Sequence, residues 1–420
     1  MARCLDRRGA HADLFGLEAE NAPDTRAWLD HGRWDVTYPL GAAAELWADP
    51  APYEFLSAEG PGLHQIAVGP VHAGVIEPGH FRFTVSGETI VRLEQRLGYT
   101  HKGIEGLMGG ATLAKAAKLA ARLSGDSTVA YSLAFAQAVE SALGARVPSR
   151  SVWLRALMAE LERLANHLGD IGAVCNDAAF TLMHAHCGAL REQVPRAADA
   201  AFGHRLMRDS IVPGGVTVDL NDDGDAAVRR LLDRIRHRFP RLVRLYDDTA
   251  SLQDRTVGTG QVSCALAKEY AAGGYVGRAS GRGFDARGLP GNGPYDRLEF
   301  DVPVLEEGDV NARVWIRIRE VEQSLRLAEQ LLGQMPVGEI MVPITSAGGS
   351  SEGMALVEGF RGDILVWVRL DAGKRIVRCH LRDPSWFQWP LLEAAIKDNI
   401  VADFPLCNKS FNCAYSGHDL

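Results

Sequence analysis

The chain has no Cys-x-x-Cys pair. Its seven cysteines, Cys4, Cys175, Cys187, Cys264, Cys379, Cys407 and Cys413, are odd in number and scattered. That pattern argues against a disulfide framework and fits a reducing cytosol, with small buried hydrophobes as the plain reading of most of them. Long uncharged apolar runs are also missing: Asp126 breaks the run around 129–139 and Asp177 breaks 171–190, so no segment is suited to span a bilayer. Arg3, Asp6, Arg7 and Arg8 interrupt the N-terminus, which lacks the apolar core of a signal peptide. Positive charge is not in excess. The 45 Lys and Arg against 53 Asp and Glu leave a net charge of −8, which favours solubility and gives no ground for nucleic-acid binding. No G-x-G-x-x-G stands between a strand and a helix, so a dinucleotide cradle is unsupported, and there is no internal repeat.

What is present is ordinary globular composition, 46% hydrophobic and 23% charged over 420 residues, enough for a sizeable core. Residues 1–60, with Trp28, Trp34, Trp47 and several prolines, read as an irregular extended arm. Segments 64–68, 81–85 and 88–95 alternate or are β-rich and predict a small antiparallel sheet. Helical periodicity runs from Thr112 to about Leu123 and resumes to Leu143. Val147-Pro148-Ser149 breaks it, with Ser149 as the expected N-cap. The next helix sets Leu154, Leu157, Leu161 and Leu164 in one stripe. A further helix is predicted over 180–207, and another from Asn221-Asp222-Asp223, whose acids suit a helix N-terminus. That helix carries Arg229, Arg230, Arg234, Arg236, Arg238, Arg241 and Arg244. Asp233, Asp247 and Asp248 dilute the charge, which favours a solvated face over a basic groove. The glycine-rich stretch 273–296 reads as a long structured loop. A helix at 311–332, a β region at 354–381 and a short helix at 390–399 complete the pattern.

A set of local motifs recurs in a specific order. Gly69-Pro70-Val71-His72 leads into Glu77-Pro78-Gly79-His80-Phe81-Arg82-Phe83. Gly98-Tyr99-Thr100-His101-Lys102-Gly103-Ile104-Glu105, Glu162-Arg163-Leu164-Ala165-Asn166-His167-Leu168 and Val212-Pro213-Gly214-Gly215-Val216 follow. Then come Pro294-Tyr295-Asp296-Arg297, Glu358-Gly359-Phe360-Arg361-Gly362, Arg382-Asp383-Pro384-Ser385 and the tail Phe404 to Leu420. Together these resemble a superfamily with two branches, the nickel-iron hydrogenase large subunit and the 49-kDa-type subunit of respiratory complex I. The formate hydrogenlyase (hydrogenase-4-like) type fits best, over about residues 62–420. The resemblance implies an α+β, mostly helical fold, a hydrogenase-large-subunit-like helix bundle with small antiparallel sheets, occupying 61–420. Asp13-Leu14-Phe15-Gly16, Pro23-Asp24, Leu29-Asp30-His31-Gly32-Arg33-Trp34 and Tyr38-Pro39-Leu40 resemble the tail of a 30-kDa-type complex I subunit. The arm of 1–60 is too short for a core of its own and is expected to lie along the main domain or a neighbour.

In the hydrogenase branch, two Cys-x-x-Cys pairs hold nickel and iron, because soft anionic sulfur must ligate and bridge both metals. Here the first pair's positions are Ser124 and Ser127, and the second pair's are Ala414 and Gly417. No nickel-iron centre, no hydrogen chemistry and no cofactor bound by this chain are expected. Cys413 lies one residue off and reads as a packed tail cysteine. In complex I the same cavity takes a quinone headgroup through a Tyr, a His and an Asp. The corresponding positions are Gly125, Pro78 and Asp177, so one of three is kept and a quinone stays open as a ligand.

The resemblance also makes Glu77 the match of a proton-transfer glutamate, with a loop-stabilising acceptor of N–H groups as the equal alternative. The candidate proton relay or quinone cavity is therefore Glu77, Asp177 and His72, with His72 and His80 read as structural, bonded to loop carbonyls. Asp177 needs a partner, for which Arg122 and His72 are the candidates. Arg361, matching an arginine poised over the metal, is expected to hold the Glu358–Gly362 stretch by an ion pair. His101 and Lys102 either face an iron-sulfur small subunit or are simply exposed.

The reading is a subunit of a membrane-associated complex I-like or hydrogenase-like oxidoreductase, NADH-quinone oxidoreductase-like. It would dock an iron-sulfur small subunit that carries the nearest cluster, rest on a membrane ion-translocating subunit and admit a 30-kDa-type subunit. It would sit peripherally on the cytoplasmic face of the cell membrane through these partners. The alternative is a catalytically silent scaffold of the same kind of complex. The end at Leu420, just past the second ligand pair, fits a protein without metal-dependent trimming.

Overall fold

A computed structural model describes residues 6–17, 20, 26–30, 36–41, 45–46, 53–72, 76–344 and 351–420. Cys4, Pro23-Asp24, His31 to Trp34, Trp47 and the loop residues Ala73 to Val75 lie outside that set.

The arm opens with helix α1 (Asp6–Phe15) and a short hairpin, β1 (Val36–Thr37) with β2 (Glu45–Leu46). A helix replaces part of the irregular arm expected there. The carboxylate of Asp13 accepts the backbone N–H groups of Trp28, Leu29 and Asp30 at 2.5–3.0 Å, which folds the arm back on itself. Leu14, Trp28 and Leu29 then enter the same apolar core as the rest of the chain. Trp28 Nε1 donates to His418 Nε2 at 2.7 Å, joining the arm to the tail.

The first sheet is an antiparallel meander, β3 (Leu63–Val68), β4 (His80–Ser86) and β5 (Thr89–Arg96). It follows the expected segments within a residue or two. The helical block comes next: α2 (Ile104–Met108), α3 (Leu113–Ala120), α4 (Thr128–Leu143), α5 (Ser149–Asp177) and α6 (Thr181–Phe202). Thr112 caps α3 by accepting from Lys115 N–H at 3.3 Å. Ser149 is the first helical residue of α5, and Pro148 holds the cap position without a side-chain cap bond. Proline's fixed φ and missing N–H suit a helix start. The predicted stripe of Leu154, Leu157, Leu161 and Leu164 is fully buried. Helix α6 stops at Phe202, short of the expected 207, because Gly203 takes a left-handed φ of 74° and closes it.

The hairpin β6 (Ile211–Val212) with β7 (Gly215–Val216) precedes α7 (Asp222–Asp247). Asn221 caps α7 by accepting from Gly224 N–H at 2.8 Å. All seven of its named arginines are exposed, so the helix presents a solvated face. Helices α8 (Ala250–Thr256), α9 (Cys264–Glu269) and α10 (Gly274–Arg278) lead into two 3-10 turns, Ala286–Gly288 and Gly293–Arg297. The glycine-rich stretch is therefore partly helical and largely buried. Gly274 explains one glycine: a Cβ there would collide with the Arg361 carbonyl oxygen. Helix α11 (Val310–Gly333) is capped by Asp309 and packs along α5. The second meander, β8 (Ser351–Glu358), β9 (Asp363–Leu370) and β10 (Ile376–Arg382), lies against α4. The last helices are α12 (Ser385–Ala395), α13 (Phe404–Phe411) and α14 (Tyr415–Asp419). Helix α12 begins five residues before the expected 390, because Asp383 accepts from Ser385 N–H at 2.7 Å and starts it, while Pro390 sits inside.

A lattice of buried charge fixes the turn between β8 and β9. Arg278 pairs with Glu320 at 2.7 Å and Glu358 at 2.8 Å. Arg287 pairs with Glu160 at 3.0 Å and Asp285 at 2.7 Å. Arg163 donates to the carbonyls of Glu358 and Gly359 at 2.9 and 3.1 Å. Charges this deep persist only when paired, and here the pairs lock α5, α10 and α11 to the turn that carries Arg361.

Candidate functional site

Ser124 and Ser127 sit in the tight turn between α3 and α4, with Asp126 between them. Both hydroxyls donate to Asp126 Oδ1, at 2.6 and 3.2 Å. Arg361 reaches across from the β8–β9 turn and clasps the same carboxylate through both terminal nitrogens, one at 2.8 Å. Its Nε donates to the Asn412 carbonyl. Burial opposes ionisation of Asp126, but Arg361 and the two serines outweigh it and hold the carboxyl at about 2. The pair is ionic at neutral pH. Arg361 was expected to hold its own turn. The ion pair is there, with Asp126 as its partner, and it ties the turn to the first pair of vacated ligand positions, while Arg163 adds bonds to the Glu358 and Gly359 carbonyls.

The second pair is closed by different means. Tyr131 on α4 donates a short hydrogen bond to Asp383 Oδ2. Ser385 Oγ accepts from Ala414 N–H at 2.9 Å. A Cβ at Gly417 would collide with Asp383 Oδ2, so the aspartate fills the space a side chain at 417 would enter. Burial pushes the Cys413 thiol far up, leaving it neutral rather than a thiolate ligand. The described residues contain no group of three or more His, Cys, Asp or Glu placed to hold a metal. Two serines bound to a carboxylate, an alanine and a glycine pressed on Asp383 do not fit a nickel-iron group. An ion-paired, hydrogen-bonded cluster surrounds these four positions.

His72 and Glu77 share the loop between β3 and β4, whereas Asp177 has other neighbours. His72 is half-buried, its Nε2 2.8 Å from the Gly79 carbonyl oxygen, and its ring lies against Phe81. His80 Nδ1 lies 3.3 Å from the Gly69 carbonyl oxygen. Both histidines fix the loop. Glu77 is exposed and accepts from Ser416 N–H at 3.3 Å. Asp177 ends α5, half-buried. Burial raises its carboxyl, while Lys409, Asn176 and His184 oppose the rise. Lys409 and not Arg122 or His72 is its cation. Arg122 instead forks onto Asp209 with two bonds of 2.7 Å.

His101 is half-buried and Lys102 is exposed, and each also bonds within the chain. His101 Nδ1 lies 2.5 Å from the Asp419 carbonyl oxygen, and Lys102 donates to the Leu123 carbonyl at 2.6 Å. Glu77 and His101 thus hold the tail in place, and Lys102 the turn after α3. In the sequence Asp126 stands out only as a break in an apolar run, Asp383 only as part of a motif, and Tyr131 not at all. The one available signal was an acid set between serines at two ligand positions in an otherwise apolar run. A cleft of about 650 Å³ lies apart from this cluster, between α4, α5, β8 and residues 289–295.

Residues 177–347 and 345–419 match the family described as respiratory-chain NADH dehydrogenase, 49-kDa subunit. Formate hydrogenlyase subunit 5 of Escherichia coli is 30% identical, over 97% of this chain and 73% of its own. The carbon monoxide-induced hydrogenase of Rhodospirillum rubrum is 30% identical over 83% of this chain and 97% of its own. An NADH-quinone oxidoreductase subunit of Dehalococcoides mccartyi is 31% identical over 80% of this chain and 91% of its own. Among solved structures, a chain of the membrane-bound sulfane sulfur reductase, an archaeal respiratory membrane complex, superposes with a TM-score of 0.80 at 26% identity. That match covers 86% of this chain and 99% of the other. The helical bundle with small antiparallel sheets is the architecture expected from the motifs.

Proposed function

Because the chain belongs to the 49-kDa subunit family of respiratory-chain NADH dehydrogenase, we propose that it works as a subunit of a membrane-associated, complex I-like oxidoreductase whose own centre is an ion-paired polar cluster. The observation that carries this reading is the Asp126–Arg361 pair, bracketed by Ser124 and Ser127, with Gly417 pressed on Asp383. Electrons then stay with an iron-sulfur small subunit, and this chain contributes shape, charge and proton handling. No helix among the described residues is long and apolar enough to cross a membrane, so a membrane ion-translocating subunit supplies the anchoring, on the cytoplasmic face. A 30-kDa-type subunit is the proposed neighbour of the N-terminal arm.

The described residues between β3 and β4, Gly69 to His72 and Ile76 to Gly79, are the proposed face toward the iron-sulfur partner. Val71 and Ile76, on the same loop as Glu77, are exposed, and exposed apolar groups with a carboxylate suit a partner surface or a quinone headgroup. Glu77 would exchange protons at that face, with His72 holding the loop. Asp177 would serve a second, separate position beside Lys409. The ion-paired cluster also favours a second reading, a scaffold with no redox role.

Reduction of a quinone analogue by the purified assembly, with Glu77→Gln and Asp177→Asn variants and metal analysis alongside, separates the two. Loss of turnover in either variant with the assembly intact supports the relay. Full turnover in both leaves the scaffold, and stoichiometric nickel overturns the metal-free centre.

A further inference from the structure

Helices α5 and α6 part around a cavity of about 220 Å³ that opens to solvent between Arg191, Arg205 and Gly125. Leu161, Val194, Ala198 and Met207 form its apolar wall, and Glu162 and Asn166 are its polar floor. Pro195, also on the wall, supplies no N–H to the Arg191 carbonyl one turn back, so α6 itself is open there.

The environment of Glu162 is unusual for a carboxyl. Its two oxygens accept the N–H groups of Val129 and Ala130, at 2.6 and 3.0 Å, at the start of α4. No cation among the described residues pairs with it. The charges around it come from four elements. Asp126 in the turn before α4 opposes its ionisation, with Arg361 spent on that carboxylate from the β8–β9 turn. Arg163 on its own helix is directed to the Glu358 and Gly359 carbonyls. Arg191 on α6 and Arg205 just beyond it stand at the cavity mouth, and Arg205 is paired with Glu192 at 2.8 Å.

We propose that Glu162 is a proton-exchange site of this protein, giving its proton to water in the α5–α6 cavity and recovering it from there. In that step the carboxyl O–H bond breaks, its electron pair stays on oxygen, and a cavity water carries the proton to the surface. The resulting carboxylate keeps both helix N–H bonds, so the start of α4 gains and loses a negative charge beside the Asp126–Arg361 pair. Burial raises the carboxyl to about 8, against the two N–H bonds, which places the exchange close to neutral pH. The site depends on the chain's own geometry and not on the assembly's electron acceptor or on Glu77.

Infrared difference spectroscopy of the purified protein across pH tests it. A protonated carboxyl signal with a midpoint near 8 is expected in the wild type and missing in Glu162→Gln, which keeps an acceptor oxygen for α4. Signals from Glu358 and Asp419, raised by burial to about 7 and about 6, remain and serve as internal controls. Ala165→Leu, which narrows the cavity one turn along α5, is expected to slow deuterium exchange of the Glu162 signal several-fold. An unchanged carboxyl spectrum in Glu162→Gln overturns the proposal. So does exchange in Ala165→Leu as fast as in the wild type, and this second measurement decides the matter if Glu162→Gln does not fold.

Discussion

Cutting the Asp126–Arg361 pair from either side should give unequal losses with a distinctive pH dependence. The fall of Asp126 from an ordinary 3.8 to about 2 corresponds to about 2.4 kcal/mol. The Asp126 side chain is 34% exposed, toward the cavity, so water screens the pair and about 1–2 kcal/mol is the fairer figure. Arg361→Met removes that and the bond to the Asn412 carbonyl, about 1 kcal/mol more. Asp126→Asn strands a guanidinium whose side chain is 5% exposed, and an uncompensated charge at that depth costs about 3–5 kcal/mol. Asp126→Asn should therefore be the more damaging change. The sign with pH follows from the depressed carboxyl. Its contribution is present above 3.8 and is lost as pH falls toward about 2, so the gap between wild type and Arg361→Met narrows over that window. Urea unfolding of the purified chain at a series of pH values measures both. A gap that does not change with pH, or an Arg361→Met variant less stable than Asp126→Asn, refutes the assigned pairing.

Further outcomes follow from single contacts. Gly417→Ala pushes a methyl onto Asp383 Oδ2 and should cost about 1–3 kcal/mol by overpacking, read as a lowered urea midpoint. Trp28→Phe deletes the bond to His418 Nε2. It should cost about 1 kcal/mol and speed proteolysis of the arm more than of the body. Burial lowers His418 to about 3 from 6.5, so its neutral form supports the fold above 6.5 and that support drains as pH falls toward 3. Melting curves of His418→Gln should lack that part of the acid slope. Leu157→Ala, at a fully buried site on α5, should cost about 2–5 kcal/mol.

Much of the architecture was legible in local pattern. The strands of the first sheet, the leucine stripe of α5 and the Asn221 start of α7 are all set by short-range periodicity or capping chemistry, and they appear where the residues place them. The loss of metal ligands was equally plain, since it depends only on which atoms stand at four positions. Misplaced boundaries have local causes that the pattern hid. Asp383 starts α12 ahead of Pro390, and Pro148 takes the cap position expected of Ser149.

The cluster itself was not legible, because each of its bonds joins distant parts of the chain. Arg361 meets Asp126 across 235 positions, and Tyr131 meets Asp383 across 252. Glu77 and Asp177, joined by resemblance, have different neighbours in space.

By itself the sequence determined the family, the helical bundle with its small sheets, and the loss of the thiolates, since motif order, periodicity and residue chemistry are properties of the linear chain. Only the tertiary structure decided what took their place: an arginine held by a turn locked to α5 and α11, an aspartate in the space beside Gly417, and a carboxyl at the start of α4 facing a water-reached cavity. Those outcomes depend on which side chains are buried together, and burial is set by packing between elements that the linear order leaves unpaired.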